Sequence, residues 1–440
     1  MIKAATDLYS TTEINAAKKA FDEVGILGDT GGNYETDINA NPGQEFILTT
    51  GANNVGLFIY NTAGALLGQI SSKSVLSKPS ISDDGSEIVF VGKDNIVYYI
   101  TIDWTKNPVT PQEQTLSDDP VWRNAIISKD GLKIAATTTE LKNEVYVFYI
   151  SGTSVTSNIF ELYNPTYTQG VTTGDVLYAD AMEFDITGEY IMYDAENEIT
   201  SNTSGSINYF DISFIKVWNN GAKSFSLGEI EKLYSSLPKN VSIGNPTFSK
   251  NSPYIIAFDY IDENDNVNIL ASNIETGTTN LIYENNTLGY PNYSSKDDNL
   301  MFDNEGSASL DLGIAKLKSN KIEVAATPTR LISGRRWAVW FSNGKRNLSD
   351  VEITENLNAG FTIVENPVSD ILRLQIKGDI YKNTDIKISD ITGKTLVQNA
   401  INITQDNQTT ELSTAALIPG IYFVTLQSGN VTNTLKFVKR

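Results

Sequence analysis

Three aspartates follow apolar runs of the same kind: Asp194 after Tyr190-Ile-Met-Tyr193, Asp259 after Ile255-Ile-Ala-Phe258, and Asp303 after Leu300-Met-Phe302. Further acids crowd behind them, namely Glu196, Glu198, Asp262, Glu263, Asp265 and Glu305. Carboxylates gathered from neighbouring units can coordinate calcium, a hard ion that takes six to eight oxygens. They can equally hold a cationic or polyhydroxylated partner. Asp259 to Asn266 is rich in Asp and Asn but lacks the EF-hand order with its central Gly and terminal Glu. Solvated hairpin loops, where Asp and Asn favour the turn, explain the same residues without a ligand. A second group comprises Asp118, Asp119, Trp122, Arg123, Asp180 and Tyr290. Trp122 beside Arg123 suits stacking on a sugar ring with a charged neighbour, although aromatics here also serve packing between sheets. Paired carboxylates could in principle hydrolyse glycosides, at separations that the sequence does not supply.

Other chemistry is excluded. The 440 residues contain no Cys and no His, so disulfides, thiolate sites, His-ligated zinc and Ser-His-Asp triads are impossible. Catalysis would have to run on carboxylates, Lys, Tyr, Ser or Thr, or an oxygen-bound cation. The net charge of −20 is uneven: residues 361–440 hold eight basic and seven acidic side chains, leaving a net of −21 to the rest. So acidic a body repels phosphate backbones, which argues against a nucleic-acid partner. No apolar run is long enough to serve as a transmembrane segment. Met1-Ile-Lys-Ala-Ala5 lacks the apolar core of a signal peptide.

The elements that must position these residues repeat. A short strand, a polar turn and a second apolar strand recur, most clearly as Pro79-Ser-Ile-Ser-Asp-Asp-Gly85-Ser-Glu-Ile-Val-Phe90. The turn positions fall at 43, 85, 131, 188, 252 and 298, with Asn41-Pro-Gly43-Gln the weakest copy. Each copy runs into a further strand and a tight hairpin, completing four strands. One such sheet cannot bury both faces, whereas a closed ring can, so about six four-stranded blades predict a β-propeller. Arg335-Arg-Trp-Ala-Val-Trp-Phe341 reads as a further strand that completes the first or last blade. Residues 12–23 form a short helix capped by Thr, with Ile14, Ala17 and Phe21 on its apolar face. The "Phe-Ser-x-Asp-Gly" flavour of the repeat resembles the propellers of TolB and related WD40-like proteins, which implies blades and no particular activity.

The C-terminal stretch is different. Asn366-Pro-Val-Ser-Asp370 marks a turn into the alternating Ile371-Leu-Arg-Leu374, followed by Ile386-Lys-Ile-Ser-Asp390. Pro419-Gly420 then feeds Ile421-Tyr-Phe-Val424, and the chain closes on Thr434-Leu-Lys436-Phe437-Val438-Lys439-Arg440. Period-two alternation between Asx, Gly and Pro turns predicts a small Ig-like antiparallel β-sandwich. The order of these pieces resembles the C-terminal sorting domain of type IX secretion cargo in Bacteroidota. The resemblance implies recognition through Asn366, Pro367, Pro419, Gly420, Tyr422, Lys436, Phe437, Val438 and Lys439, with no catalytic residue. It also implies the type IX translocon, its shuttle barrel and a sortase as partners. The protein would pass through the periplasm and be secreted or held on the outer-membrane surface, using a signal peptide absent from this sequence.

Together these readings give an all-β chain: a helical extension over 1–30, a propeller over 31–345, a linker over 346–360 and the sorting domain over 361–440. The propeller is expected to bind a polysaccharide or a surface protein. Its expected face carries Trp122, Arg123, Asp180, Asp194, Asp259, Tyr290 and Asp303, the last three aspartates of the set being the calcium candidates. A carboxylate-based glycan-degrading enzyme and a structural or adhesive surface protein are the alternatives.

Overall fold

In the computed structural model, residues 37–440 are described apart from 107–108, 152–153, 166–172, 202–204, 235–236, 308, 347, 349–360, 365–367, 377–383, 391–394, 402–407, 418–419, 429–430 and 440. The helix expected at 12–23 lies outside the described residues. The chain separates into two units, one of them Tyr34–Glu352 and the other containing Ile353–Arg440.

Six four-stranded antiparallel sheets and one two-stranded ribbon make up the strands described in the first unit. Blade 2 shows the pattern, with Ser80–Ile81 innermost, then Glu87–Val91, Val97–Ile102 and Pro111–Ser117. Blades 3 to 6 open on Trp122–Ile127, Asp175–Phe184, Ser242–Phe248 and Asn292–Tyr293. Blade 1 is built from both ends of the unit: Arg335–Ser342 is its innermost strand and pairs with Glu45–Gly51, which is followed by Val55–Asn61 and Leu66–Ser74.

Alternation along the second strands explains why the sheets form a ring. Ile88 and Phe90 pack toward blade 1, beside Phe46 and Leu48, whereas Val89 and Val91 pack toward blade 3, beside Ile134 and Ala136. Ala135 then meets Ile191 and Tyr193, Met192 meets Ile256 and Phe258, and Ile255 and Ala257 meet Leu300 and Phe302. Met301 returns to Ile47, which closes the sixth interface. Strands buried on both faces read as continuous apolar runs, as Ile88-Val-Phe-Val91 does.

The repeated turn needs a left-handed residue, supplied by Gly85, Gly131 and Gly188 at φ of 67°, 74° and 67°. In blade 6 that role falls to Asp297 (φ 58°), one position before the residue expected from the repeat, because its amide donates to Ser294 O as that of Gly85 does to Ser82 O. Blade 4 departs once more: Asn219 and Asn220 belong to an extra two-stranded ribbon, Trp218–Asn219 with Ser224–Phe225, inserted ahead of the fourth strand Ile230–Lys232.

Blade 1 lacks an intact repeated turn because the chain is interrupted there. Asn41 to Gln44 and Asn343 to Arg346 lie side by side instead. A Cβ on Gly43 would stand 1.9 Å from the Gly344 amide nitrogen, so the two backbones approach as only glycines permit. Asn41 Nδ2 donates to Gly344 O at 2.8 Å and to Asp83 O at 2.8 Å. Arg346, assigned by sequence to the linker, is fastened to the propeller. Its guanidinium meets both oxygens of Asp83 at 2.9 and 2.6 Å and donates to Asn39 O, Asn251 Oδ1 and Lys250 O at 2.9, 2.9 and 3.0 Å.

The C-terminal unit is a sandwich. One sheet holds Phe361–Ile363, Ile371–Ile376 and Gln408–Ser413. The other runs Thr395–Ile401, Thr384–Asp390, Gly420–Ser428 and Val431–Lys439 in spatial order. Leu372, Leu374, Ile376, Ile386, Ile388, Val424 and Leu426 fill its core. Arg373 points away and pairs with Glu411 at 2.8 Å, as the alternation requires.

Candidate functional site

The three aspartates lie within the second strands, in Tyr190–Ser201, Ile255–Ile261 and Asn299–Glu305, and not in loops after them. Each is at most 3% exposed and accepts hydrogen bonds from the backbone at the entrance of the next blade. Asp194 takes the amide of Asn245 at 2.6 Å and that of Ala181, in its own blade, at 2.7 Å. Asp259 takes Gly289 N at 2.9 Å, Tyr290 N at 3.2 Å and Asn245 Nδ2 at 2.8 Å. Asp303 takes Trp337 N at 2.7 Å and has Arg336 Nε 3.7 Å away.

The receiving residues share a feature. Asn245, Tyr290 and Trp337 have φ of 50°, 45° and 54°, a left-handed conformation costing a non-glycine residue roughly 1 kcal/mol or more. The carboxylate bond offsets that cost, so these aspartates are ties between blades. Burial pushes Asp194 up to about 8, Asp259 to about 6 and Asp303 to about 7, while the donated hydrogen bonds pull the other way. Among the described residues, no three acidic side chains are grouped so as to hold a metal ion. Asp259→Ala would strand two backbone amides and the Asn245 side chain; it should lower the unfolding free energy by about 3 kcal/mol, read by urea denaturation.

A pocket of about 260 Å³ opens where the loops entering the first strands converge. Three residues expected at the site, Arg123, Asp180 and Tyr290, do meet there. The Arg123 guanidinium pairs with Asp180 Oδ1, donates to Ala179 O and lies 4.7 Å from the centre of the Tyr178 ring. Tyr290 stands edge-on to Trp337 at 5.9 Å, its hydroxyl pKa raised by burial. Four polar atoms of lining residues have no hydrogen-bond partner among the described residues: Ser77 Oγ, Arg123 Nε, Asn124 Oδ1 and Trp337 Nε1. Buried donors and acceptors are normally satisfied.

Trp122 is elsewhere. It packs edge-on against Tyr146 and Phe148 at 5.8 and 6.0 Å, donates to Ser117 Oγ, and belongs to the core between blades 2 and 3. Asp118 and Asp119 are exposed and do not line the pocket.

The pocket and a smaller adjoining chamber are lined by residues that the sequence reading missed: Lys78 from blade 2 in the pocket, Lys250 from blade 5 in the chamber, and Lys129 from blade 3 and Glu183 from blade 4 in both. Lys129 Nζ pairs with Glu183 Oε1 at 2.9 Å, and Glu183 Oε2 accepts from Thr247 Oγ1 at 2.8 Å and Phe248 N at 3.2 Å. Glu183 is held down at about 2 by the lysines, against its burial. A signal existed. Lys129 and Lys250 both occupy the second position of the repeated turn, Ser128-Lys-Asp-Gly131 and Ser249-Lys-Asn-Ser252, as Asp83 does in blade 2. That position faces the axis of the ring, where all three line one cavity.

In the C-terminal unit, Tyr422 and Phe437 are buried and stack at 5.7 Å, so both are core residues. Lys439 is 7% exposed, pairs in register with Gly420 and has Nζ 3.4 Å from Asp370. Lys436 and Val438 lie opposite Phe423 and Ile421 in the last strand. Asn366, Pro367 and Pro419 lie outside the described residues.

Residues 363–440 match the family described as the secretion system C-terminal sorting domain. No curated protein matches the chain. Among solved structures, TolB from Acinetobacter baumannii aligns at 16% identity and TM-score 0.47, over 69% of this chain and 68% of that one. A putative TolB from Agrobacterium tumefaciens aligns at 12% and 0.40, over 66% and 88%. A putative 6-phosphogluconolactonase from Bacteroides fragilis aligns at 11% and 0.41, over 69% and 99%. None of these levels carries a functional argument. The sorting domain does, since it implies export by the type IX system to the cell surface or the medium. The C-terminal unit is therefore a type IX secretion sorting domain, carried behind a six-bladed β-propeller.

Proposed function

We propose that the propeller is the binding module of this exported protein and that the pocket at the channel mouth is its site. The occupant is a terminal unit of a polysaccharide or an exposed segment of a surface protein. One observation carries this reading: a pocket of about 260 Å³ lined by Arg123, Asn124, Tyr290 and Trp337, whose lining residues also hold four buried polar atoms without partners among the described residues. Ligand pockets combine apolar walls with a few polar groups, and here Arg123, Asn124 and Tyr290 supply them for a ligand bearing hydroxyls or amides. The sorting domain meets the translocon, shuttle barrel and sortase, leaving the propeller for the external partner.

Binding is favoured over glycoside hydrolysis by the state of the carboxyl groups. A hydrolase needs one acid that keeps its proton near neutrality. The two carboxylates that line the pocket are both committed to cations, Asp180 to Arg123 and Glu183 to Lys129. Asp194 and Asp259 already accept backbone amides on their carboxylates, and Asp303 Oδ2, which has no hydrogen-bond partner among the described residues, faces Arg336 at 3.7 Å, so these three do not form a ready calcium site.

Binding of the full chain to a glycan and polysaccharide panel, with and without calcium, tests the reading. Arg123→Ala should weaken any hit at least about tenfold, the scale of losing one charged hydrogen-bonding group. Hits that survive both Arg123→Ala and Tyr290→Ala unchanged would place the site elsewhere.

A further inference from the structure

We infer that the junction of the mouth pocket with the adjoining chamber is an oxyanion site, which takes a carboxylate, sulfate or phosphate group between Lys78, Lys129 and Lys250. The inference rests on the propeller being a binding module and names the chemistry of its ligand. Three ammonium groups converge here with Glu183 from four blades of a chain whose net charge is −20, and the other two lining carboxylates, Asp83 and Asp180, are each paired with an arginine, Arg346 and Arg123. Glu183 is saturated by Lys129, Thr247 and the Phe248 amide. Lys78 Nζ donates to the Tyr290 and Pro291 carbonyls at 2.9 and 3.0 Å and forms no ion pair with a described residue. Lys250, half-buried at the wall of the chamber, makes no side-chain hydrogen bond or ion pair with any described residue. An unpaired ammonium in such a place is costly, and an incoming anion supplies what is missing.

Size sets the mode of entry. The chamber beside Lys250 has about 30 Å³, room for one small group, while the mouth above has about 260 Å³. A ligand would therefore rest its body in the mouth and direct its charged group inward. The lysines are poised to respond. Burial, with repulsion from Lys129 and Lys78 and opposed by Glu183 and Asp297, lowers Lys250 to about 7. Burial also lowers Lys78 to about 8, with Lys129 adding to the fall and Glu183, Asp303 and Asp259 opposing it. A bound anion stabilises both ammonium forms, so binding takes up protons and weakens as pH rises past these values.

Calorimetry on the full chain, with sulfate, phosphate, an oligouronate and its neutral methyl ester, in buffers of different ionisation enthalpy, tests this. We expect proton uptake near neutral pH, and at least about tenfold weaker binding in Lys250→Met and in Lys78→Met, the scale of a lost charged contact. Lys250→Met should melt no lower than the parent, because it replaces an unpaired charge with an apolar chain of similar length. Its advantage should shrink as pH rises from about 7 toward 10.5, where the native lysine has lost its proton and the unfolded one has not. Binding by inorganic anions alone would identify a free ion as the occupant; tighter binding of the oligouronate than of its ester would identify an acidic glycan end. Either upholds the site. No anion binding, or binding indifferent to both substitutions, overturns it. Neutral glycans that still bind through Arg123 would then leave the mouth reading standing, and anion binding indifferent to Arg123→Ala would do the reverse.

Discussion

A chain ending at residue 360 will fold its propeller and stay in the periplasm. The expectation has two separable parts. The sandwich has a core of its own, from Val368 through Phe437, which shares no residue with the six interfaces of the ring. Each core is built from residues of its own unit, so the melting transition of residues 1–360 should match that of the propeller in the full chain. Export is a different matter, because the match to the sorting domain covers residues 363–440 alone. Immunoblots of periplasm, cell surface and medium in the native host should show the truncated protein moving from the outer fractions to the periplasm almost completely. Normal appearance of a folded, truncated protein in the medium would refute the assignment of export to this unit.

Replacing Arg346 with Ala should destabilise the propeller by about 3–5 kcal/mol, the range found when one partner of a buried, hydrogen-bonded ion pair is removed. Arg346 and Asp83 have side chains only 9% and 11% exposed. All five bonds of the guanidinium are made to three separate segments: the entry at Asn39, the blade 2 turn at Asp83 and the blade 5 turn at Lys250 and Asn251. Alanine leaves the Asp83 carboxylate with Asn41 Nδ2 at 3.2 Å as its remaining side-chain donor. Lysine should rescue poorly, since a single ammonium cannot reproduce the bidentate fork. Pairing Arg346→Met with Asp83→Asn should recover part of the loss, because no buried charge is then left alone. Chemical denaturation of the four proteins measures all of this. Equal stability of Arg346→Ala and the parent would mean that the contact is ornamental.

The propeller was legible because its chemistry repeats. Continuous apolar second strands such as Ile88-Val-Phe-Val91, set behind a polar turn, leave few alternatives to a ring. Closure was the harder part, since blade 1 has its turn split between Asn41–Gln44 and Asn343–Arg346, and neither half carries the full pattern. The aspartates were misplaced for a related reason. A carboxylate near the end of an apolar run resembles a loop residue, and nothing local reports that a left-handed amide in the next blade awaits it. The lysines were passed over because Lys in a polar turn normally reads as solvated; only closure of the ring turns Lys129 and Lys250 inward. Trp122 beside Arg123 suits both a sugar platform and packing between sheets, because the neighbours that decide for packing, Tyr146 and Phe148, lie too far along the chain to be seen.

The interrupted first blade also bears on how the molecule would respond to mechanical load. Its innermost strand, Arg335–Ser342, is held in the sheet along one edge only, by Glu45–Gly51. Tension applied through the sorting domain during export would otherwise peel that strand from the ring one bond at a time. Before it arrives there, it must pass Arg346, whose bonds anchor the chain to two other blades and would load together. A pull on any residue beyond Arg346 would thus load the guanidinium's bonds to blades 2 and 5 before it reached the strand that closes the ring.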